Sequence, residues 1–88
     1  MNANYSSVFV TKYRKILRKN NKCSDLIKEK MALFLSDKSH PSLRLHKLQG
    51  NLKEAWSISV DRKTRILLYQ DESGVTFVDI GSHDEVYR

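Results

Sequence analysis

The spacing of apolar residues changes from one period to another near the middle of the chain. Behind a candidate N-cap at Ser7, Phe9, Tyr13, Ile16 and Leu17 recur at i, i+4, i+7 and i+8, one face of a helix that the Asn20-Asn21 pair ends. Lys12, Lys15, Lys19 and Lys22 share a different face at spacings of three and four. A second helix is expected from an N-cap at Ser24, with Asp25 in its first turn and Ile27, Met31, Phe34 and Leu35 as its apolar stripe; it stops near Asp37, before Pro41. Beyond His40-Pro41, Leu43, Leu45 and Leu48 mark an extended link that Gly50 closes. Trp56, Ile58 and Val60 then alternate with Ser57 and Ser59, a half-buried strand. Asp61-Arg62-Lys63 reads as a turn, Thr64–Gln70 as a second strand, Asp71–Gly74 as a turn, and Val75–Ile80 as a third strand ended by Gly81. A short extended stretch near Asn4–Ser6 opens the chain. The predicted fold is α+β: an N-terminal helical hairpin packed on a small antiparallel β-sheet, one domain over residues 1–88.

The length of 88 residues limits how deep a site can be. A chain of this size buries only ~60% of the surface its unfolded form exposes, so an open face or shallow groove is expected, which suits a polymer better than a small metabolite. Sixteen Lys and Arg residues stand against ten carboxylates, a formal net charge of +6 with a pI near 9.6, and eleven of the sixteen lie in the first fifty residues. Such a balance fits a phosphate-bearing partner, with solvated helix faces as the competing reading. The single cysteine, Cys23, forbids an internal disulfide and fits a reducing compartment. No segment has the order of a signal peptide, and the run Met31–Leu35 is too short to cross a bilayer, so a cytoplasmic protein is expected.

Two regions carry candidate chemistry. On the strand face away from the helices, Ser57 and Ser59 should look into solvent beside Arg65, Arg62 and Lys63, a setting for a polyanion laid across a sheet; an ordinary solvated face is the alternative. After the last strand, His83 and Tyr87 put an imidazole and a phenol four residues apart. RNA brings its own nucleophile, the 2′-hydroxyl. Cutting it takes a base, an acid for the leaving 5′-oxygen and cations for the phosphate between, and His83, His46, Tyr87 and Arg65 could supply these parts. A surface histidine and an aromatic anchor for the tail are the competing readings of His83 and Tyr87. His40 and His46 have no partners at zinc-finger or metalloprotease spacing, the three glycines form no phosphate loop, and neither a metal nor a cofactor is expected.

The segments His46–Lys53, Trp56–Val60, Thr64–Tyr69 and the tail from Gly81 to Tyr87, taken together, resemble the RelE/ParE superfamily of toxins from bacterial toxin–antitoxin modules. The resemblance spans almost all of residues 43–88. It implies an mRNA-cleaving endoribonuclease, often working in the ribosomal A site, and a cognate antitoxin wrapped around it. Arg65 matches the family's strand arginine, which contacts the scissile phosphate. His83 matches the C-terminal histidine of the YafQ-like branch, Tyr87 the aromatic residue four later, and His46 that branch's linker histidine. Two departures stand out: Ser59 occupies a position where a histidine or basic residue is common, and the turn holding Asp61 differs in length by one residue. RNA binding is expected from Lys47, Lys53, Arg62 and Lys63 near the cutting face, and from Lys12, Lys15 and Lys19 on ribosomal RNA phosphates. A ParE-like inhibitor of DNA gyrase, or an attenuated homologue that chiefly binds its antitoxin, are the alternatives. No membrane partner is expected.

Overall fold

The computed structural model describes residues 2–48, 54–82 and 86. Strand β1 (Asn2–Tyr5) leads into helix α1 (Ser7–Lys19) and helix α2 (Asn21–Ser36). A single 3-10 turn, Pro41–Leu43, precedes β2 (His46–Lys47), and β3 (Trp56–Ser59), β4 (Thr64–Asp71) and β5 (Gly74–Ser82) complete the chain. The sheet runs β1-β5-β4-β3-β2. Strands β2 to β5 pair antiparallel, but β1 pairs parallel with β5, so the sheet is mixed rather than the purely antiparallel one expected.

The helix boundaries differ from the sequence reading at both caps. Ser6, not Ser7, caps α1: its Oγ accepts from the Phe9 N–H at 3.0 Å and donates to the Val78 carbonyl at 2.7 Å, tying the helix start to β5. Asn20 serves both helices. Its backbone N–H closes α1 on the Ile16 carbonyl, and its side chain accepts from the Cys23 N–H at 3.0 Å to open α2. The second helix therefore starts before Ser24, which falls inside it, fully buried, with its hydroxyl donating to the Asn21 carbonyl at 2.9 Å. Asp25 accordingly lies beyond the first turn.

Both helices bury their stripes on one face of the sheet. Phe9, Ile27 and Phe34 join Leu43, Ile58, Val60, Ile66, Leu68, Val75, Phe77 and Ile80 in one core cluster, with Tyr13, Ile16, Met31 and Trp56 packed against it. Phe77 is its centre: Phe34 meets it edge-on at 6.1 Å, and Tyr5 and Phe9 lie 5.7 and 5.8 Å away. Pairs of this kind add about 0.5–1.5 kcal/mol to their burial. Removing a ring such as Phe34 costs about 3–5 kcal/mol, a large part of the stability of so small a domain.

The opposite face is not open along its whole length. Register places His46, Ser57, Leu67 and Asp79 in one row, and Ser59, Arg65 and Gly81 in the next. Ser57 and Leu67 are buried, as are Ala55 and Val86, although none of these belongs to the cluster under the helices. Ser57 is thus packed rather than solvent-facing, a correction to the sequence reading. The accessible part of this face begins at Ser59 and Arg65, both half-buried.

Candidate active site

Arg65 reaches this face because β4 alternates: Ile66 and Leu68 turn to the helices, so Arg65 and Leu67 turn away. It lines a groove of about 510 Å³ with Ser42, Arg44, Ser59, Asp61 and Arg62. Its Nη1 is buried and has no hydrogen-bond partner among the described residues. Unpaired buried donors are rare in folded proteins, and one on a charged guanidinium costs more than a neutral one. The opposing groups offer no relief: register sets Ser59 and Gly81 beside Arg65, and the Ser59 hydroxyl donates elsewhere, to the Asp61 carbonyl at 3.1 Å. An anion entering the groove would supply the missing acceptor.

The β3–β4 turn shapes one wall. Asp61 Oδ1 accepts from the Lys63 N–H at 2.8 Å and the Thr64 N–H at 2.7 Å. Burial works against the charged carboxylate. These two N–H groups, the Thr64 hydroxyl and the Lys63 charge outweigh it and hold Asp61 below the usual carboxylate range. Asp61 is thereby spent on the turn, which turns Arg62 into the groove.

His46 stands on β2 opposite Ser57, on the same face as Arg65 but one row and two strands away. Strand geometry puts their Cα atoms roughly 12 Å apart, a span that two long side chains can bridge around one phosphodiester. The ring is exposed, and its Nδ1 lies 3.1 Å from the Arg44 carbonyl. A carbonyl only accepts, so in this contact Nδ1 carries a proton and the neutral ring keeps its lone pair on Nε2. The Arg44 backbone makes this contact from a left-handed conformation, φ 47° and ψ 46°, uncommon for a residue with a side chain. His40 shows the reverse pattern: its Nδ1 accepts from the Ser42 N–H at 3.2 Å, capping the 3-10 turn.

The other candidates are scattered. His83, Tyr87 and Lys53 lie outside the described residues. Register puts Lys47 beside Trp56, on the helix side rather than with His46, and its ammonium lies 3.8 Å from Glu54. Lys63 leaves the arginine groove and joins Lys12, Lys15 and Lys19 around a second one. Lys22 belongs to α2 and is not part of that lining. Arg44 is the residue that sequence reasoning missed. It sits in a link without periodicity, and nothing in the residue type announces a left-handed arginine. Among the described residues, no three His, Cys, Asp or Glu side chains gather as a metal site, and no helix is long and apolar enough to cross a membrane.

An arginine without a partner among the described residues and an imidazole on the same sheet face suit phosphate chemistry, and comparison with known proteins places the fold. The fold is shared with YafQ from E. coli strain BL21(DE3), at a TM-score of 0.83 and 19% identity, over 99% of this chain and 98% of that one. It is shared equally with the E. coli DinJ-YafQ complex (TM-score 0.80, 20% identity, 99% and 98% of the two chains). The YoeB-YefM complex from Staphylococcus aureus follows, at a TM-score of 0.79 and 18% identity, over 94% and 97%. At these identities the likeness establishes the fold alone. No curated protein matches the sequence. The family model for YafQ, a bacterial toxin of type II toxin-antitoxin systems, matches residues 1–88, and with the whole length accounted for, the chain belongs to the YafQ toxin family.

Proposed function

We propose that this toxin of a toxin–antitoxin module is an endoribonuclease that cleaves mRNA, on the ribosome and in the cytoplasm, using its own side chains for proton transfer. The observation that carries the reading is the buried Arg65 Nη1, without a partner among the described residues, in a groove shared with Arg44 and Arg62. Three guanidiniums around one donor-rich opening match the forked geometry of a phosphodiester better than that of a neutral ligand.

His46 Nε2 takes the proton of the 2′-hydroxyl as that oxygen attacks the adjacent phosphorus. The P–O5′ bond breaks, and the leaving 5′-oxygen takes a proton from His83, the histidine matched by family resemblance. Arg65 holds the non-bridging oxygens while charge builds on them. Tyr87, matched in the same way, completes the set beside the leaving group. The products are a 2′,3′-cyclic phosphate and a 5′-hydroxyl. Arg62 and Lys53 hold the flanking backbone, while Lys47, on the helix side, stays out of the cutting face. Two of the similar structures are complexes of a toxin with a second protein, YafQ with DinJ and YoeB with YefM. By that likeness this chain has a cognate antitoxin as its partner.

The test is cleavage of free RNA by the purified chain in EDTA, with end-group analysis, followed by primer extension on mRNA after induction in cells. Cyclic phosphate ends are expected, and His83→Ala and Arg65→Ala should each lower the rate about 10²–10⁴-fold without unfolding the protein. An absolute need for Mg²⁺, 3′-hydroxyl ends, or undiminished cleavage by both variants would refute the mechanism.

A further inference from the structure

A second groove, about 440 Å³, runs between the helical hairpin and the ends of β4 and β5. Its volume is within the ~300–1,000 Å³ of pockets that enclose a ligand's side chains. Lys12, Lys15 and Lys19 reach it from α1 and Lys63 from the β3–β4 turn, with Ile16 and Cys23 between them. The Lys12 ammonium is engaged, 2.6 Å from Asp79. No ion pair within the described residues occupies Lys15, Lys19 or Lys63.

The character of this groove differs from that of the arginine groove. Among the described residues it holds no arginine fork and no aromatic ring. Strand-tracking nucleic-acid sites combine cations with rings on which bases stack, and none of these lining residues would receive a base in that way. The lysine stems instead extend the surface of Ile16 and Cys23 into an apolar lining, with the ammonium groups at its rim. Such a lining complements an aliphatic side chain flanked by carboxylates. We propose that this groove docks an acidic segment of a partner protein, an aliphatic side chain seated against Ile16 and Cys23 and neighbouring carboxylates on Lys15, Lys19 and Lys63. The inference rests on membership of a toxin–antitoxin pair and not on the RNA chemistry, so the two can fail separately.

Cys23 makes the test direct, because it is the only cysteine in the chain and lines the groove. Burial, and then the Asp61 carboxylate, push its thiol pKa up, while a hydrogen bond with Thr64 opposes them. Reaction with Ellman's reagent is therefore followed at about pH 8.5, where some thiolate forms and lysines stay charged. The probes are a synthetic peptide of aspartates and glutamates carrying two leucines, the same peptide with serine for leucine, and an oligouridylate of equal charge. At about ten times its Kd the leucine peptide should slow the reaction about tenfold. The serine peptide and the oligouridylate should protect little, and Lys15→Glu/Lys19→Glu should abolish protection with the helices intact by circular dichroism. Absence of protection by the leucine peptide, or protection that survives the double charge reversal, overturns the proposal. Equal or better protection by the oligouridylate overturns it too, and assigns the lysines to RNA.

Discussion

Replacing Arg65 with methionine should make the protein more stable and less active at once. Methionine keeps the length and most of the apolar stem of arginine, so β4 retains its packing. What disappears is the charged Nη1 that is buried without a partner among the described residues. An unsatisfied buried donor costs about 1–3 kcal/mol, with charged groups at the upper end. Allowing for solvent contact by the rest of this half-buried side chain, a gain of about 1–2 kcal/mol is expected for Arg65→Met. For a domain of this size, each kcal/mol moves the Tm by about 4–8 °C. Thermal unfolding with and without sulfate gives the assay. Sulfate at about ten times its Kd should stabilise the unmodified chain by about 1.4 kcal/mol and leave Arg65→Met unmoved. Cleavage by the variant should fall with the lost phosphate contact. A loss of about 1 kcal/mol or more in Arg65→Met would show that the guanidinium props the fold, and an unchanged response to sulfate would remove the anion from the argument.

Two further substitutions test the frame around the site. Arg44→Gly relieves about 1–2 kcal/mol of left-handed strain but adds backbone freedom to the unfolded chain, so urea unfolding should place it within about 0.5 kcal/mol of the unmodified protein. Arg44→Val should lose more than about 1 kcal/mol and also slow cleavage, because the carbonyl that orients the His46 ring moves with the backbone. Gly74→Ala would bring a Cβ to 2.2 Å from the Asn2 carbonyl oxygen at φ +155°, so it should cost about 1–3 kcal/mol and expose the amides that join β1 to β5 to hydrogen exchange.

The parts of the fold that repeat were readable, and the parts that do not repeat were not. Periods of 3.6 and 2 located both helices and the successive strands β3, β4 and β5, since each buries one stripe or face. β1, Asn-Ala-Asn-Tyr, has no such alternation: it is an edge strand held by backbone pairing with Gly74–Phe77, to which side-chain polarity gives no clue. The caps misled for a related reason. Ser24 has the residue type of an N-cap, but Asn20 satisfies the orphan N–H of Cys23 first, and α2 then carries Ser24 inward. Ser57 looked solvent-facing because a small polar residue on an alternating strand normally is; a second covered layer on that face defeats the rule. At the site, alternation sufficed to bring Arg65 out on the face away from the helices. Arg44 depends on a link without a period, and the separation of Lys63 from Arg62 depends on how a three-residue turn is closed.

That turn also explains why the two grooves can be tested apart. Asp61 binds the Lys63 and Thr64 N–H groups, and the chain then delivers Arg62 to one groove and Lys63 to the other. Neighbours in sequence therefore line different grooves, and the question is how strongly the two grooves feel one another. Two extended side chains pointing apart set unit charges roughly 12 Å from each other, worth about 0.3 kcal/mol in water before screening. Physiological salt, with a Debye length of about 8 Å, reduces that to less than about 0.1 kcal/mol. Direct coupling between these two side-chain charges is therefore small, and the turn that carries them, with its Asp61 carboxylate felt at Cys23, is the link between the grooves. While Asp61 stays ionised and bonded, effects of Arg65 variants on cleavage and of Lys15 and Lys19 variants on docking should add without interaction. Carboxylate protonation reverses this. Because the folded state holds Asp61 below its ordinary range, the clamp contributes stability above the unfolded pKa near ~3.9 and loses it as pH falls through the lower folded value. Independence of the two grooves is therefore a property of the neutral range, secured by the Asp61 clamp on the turn between them.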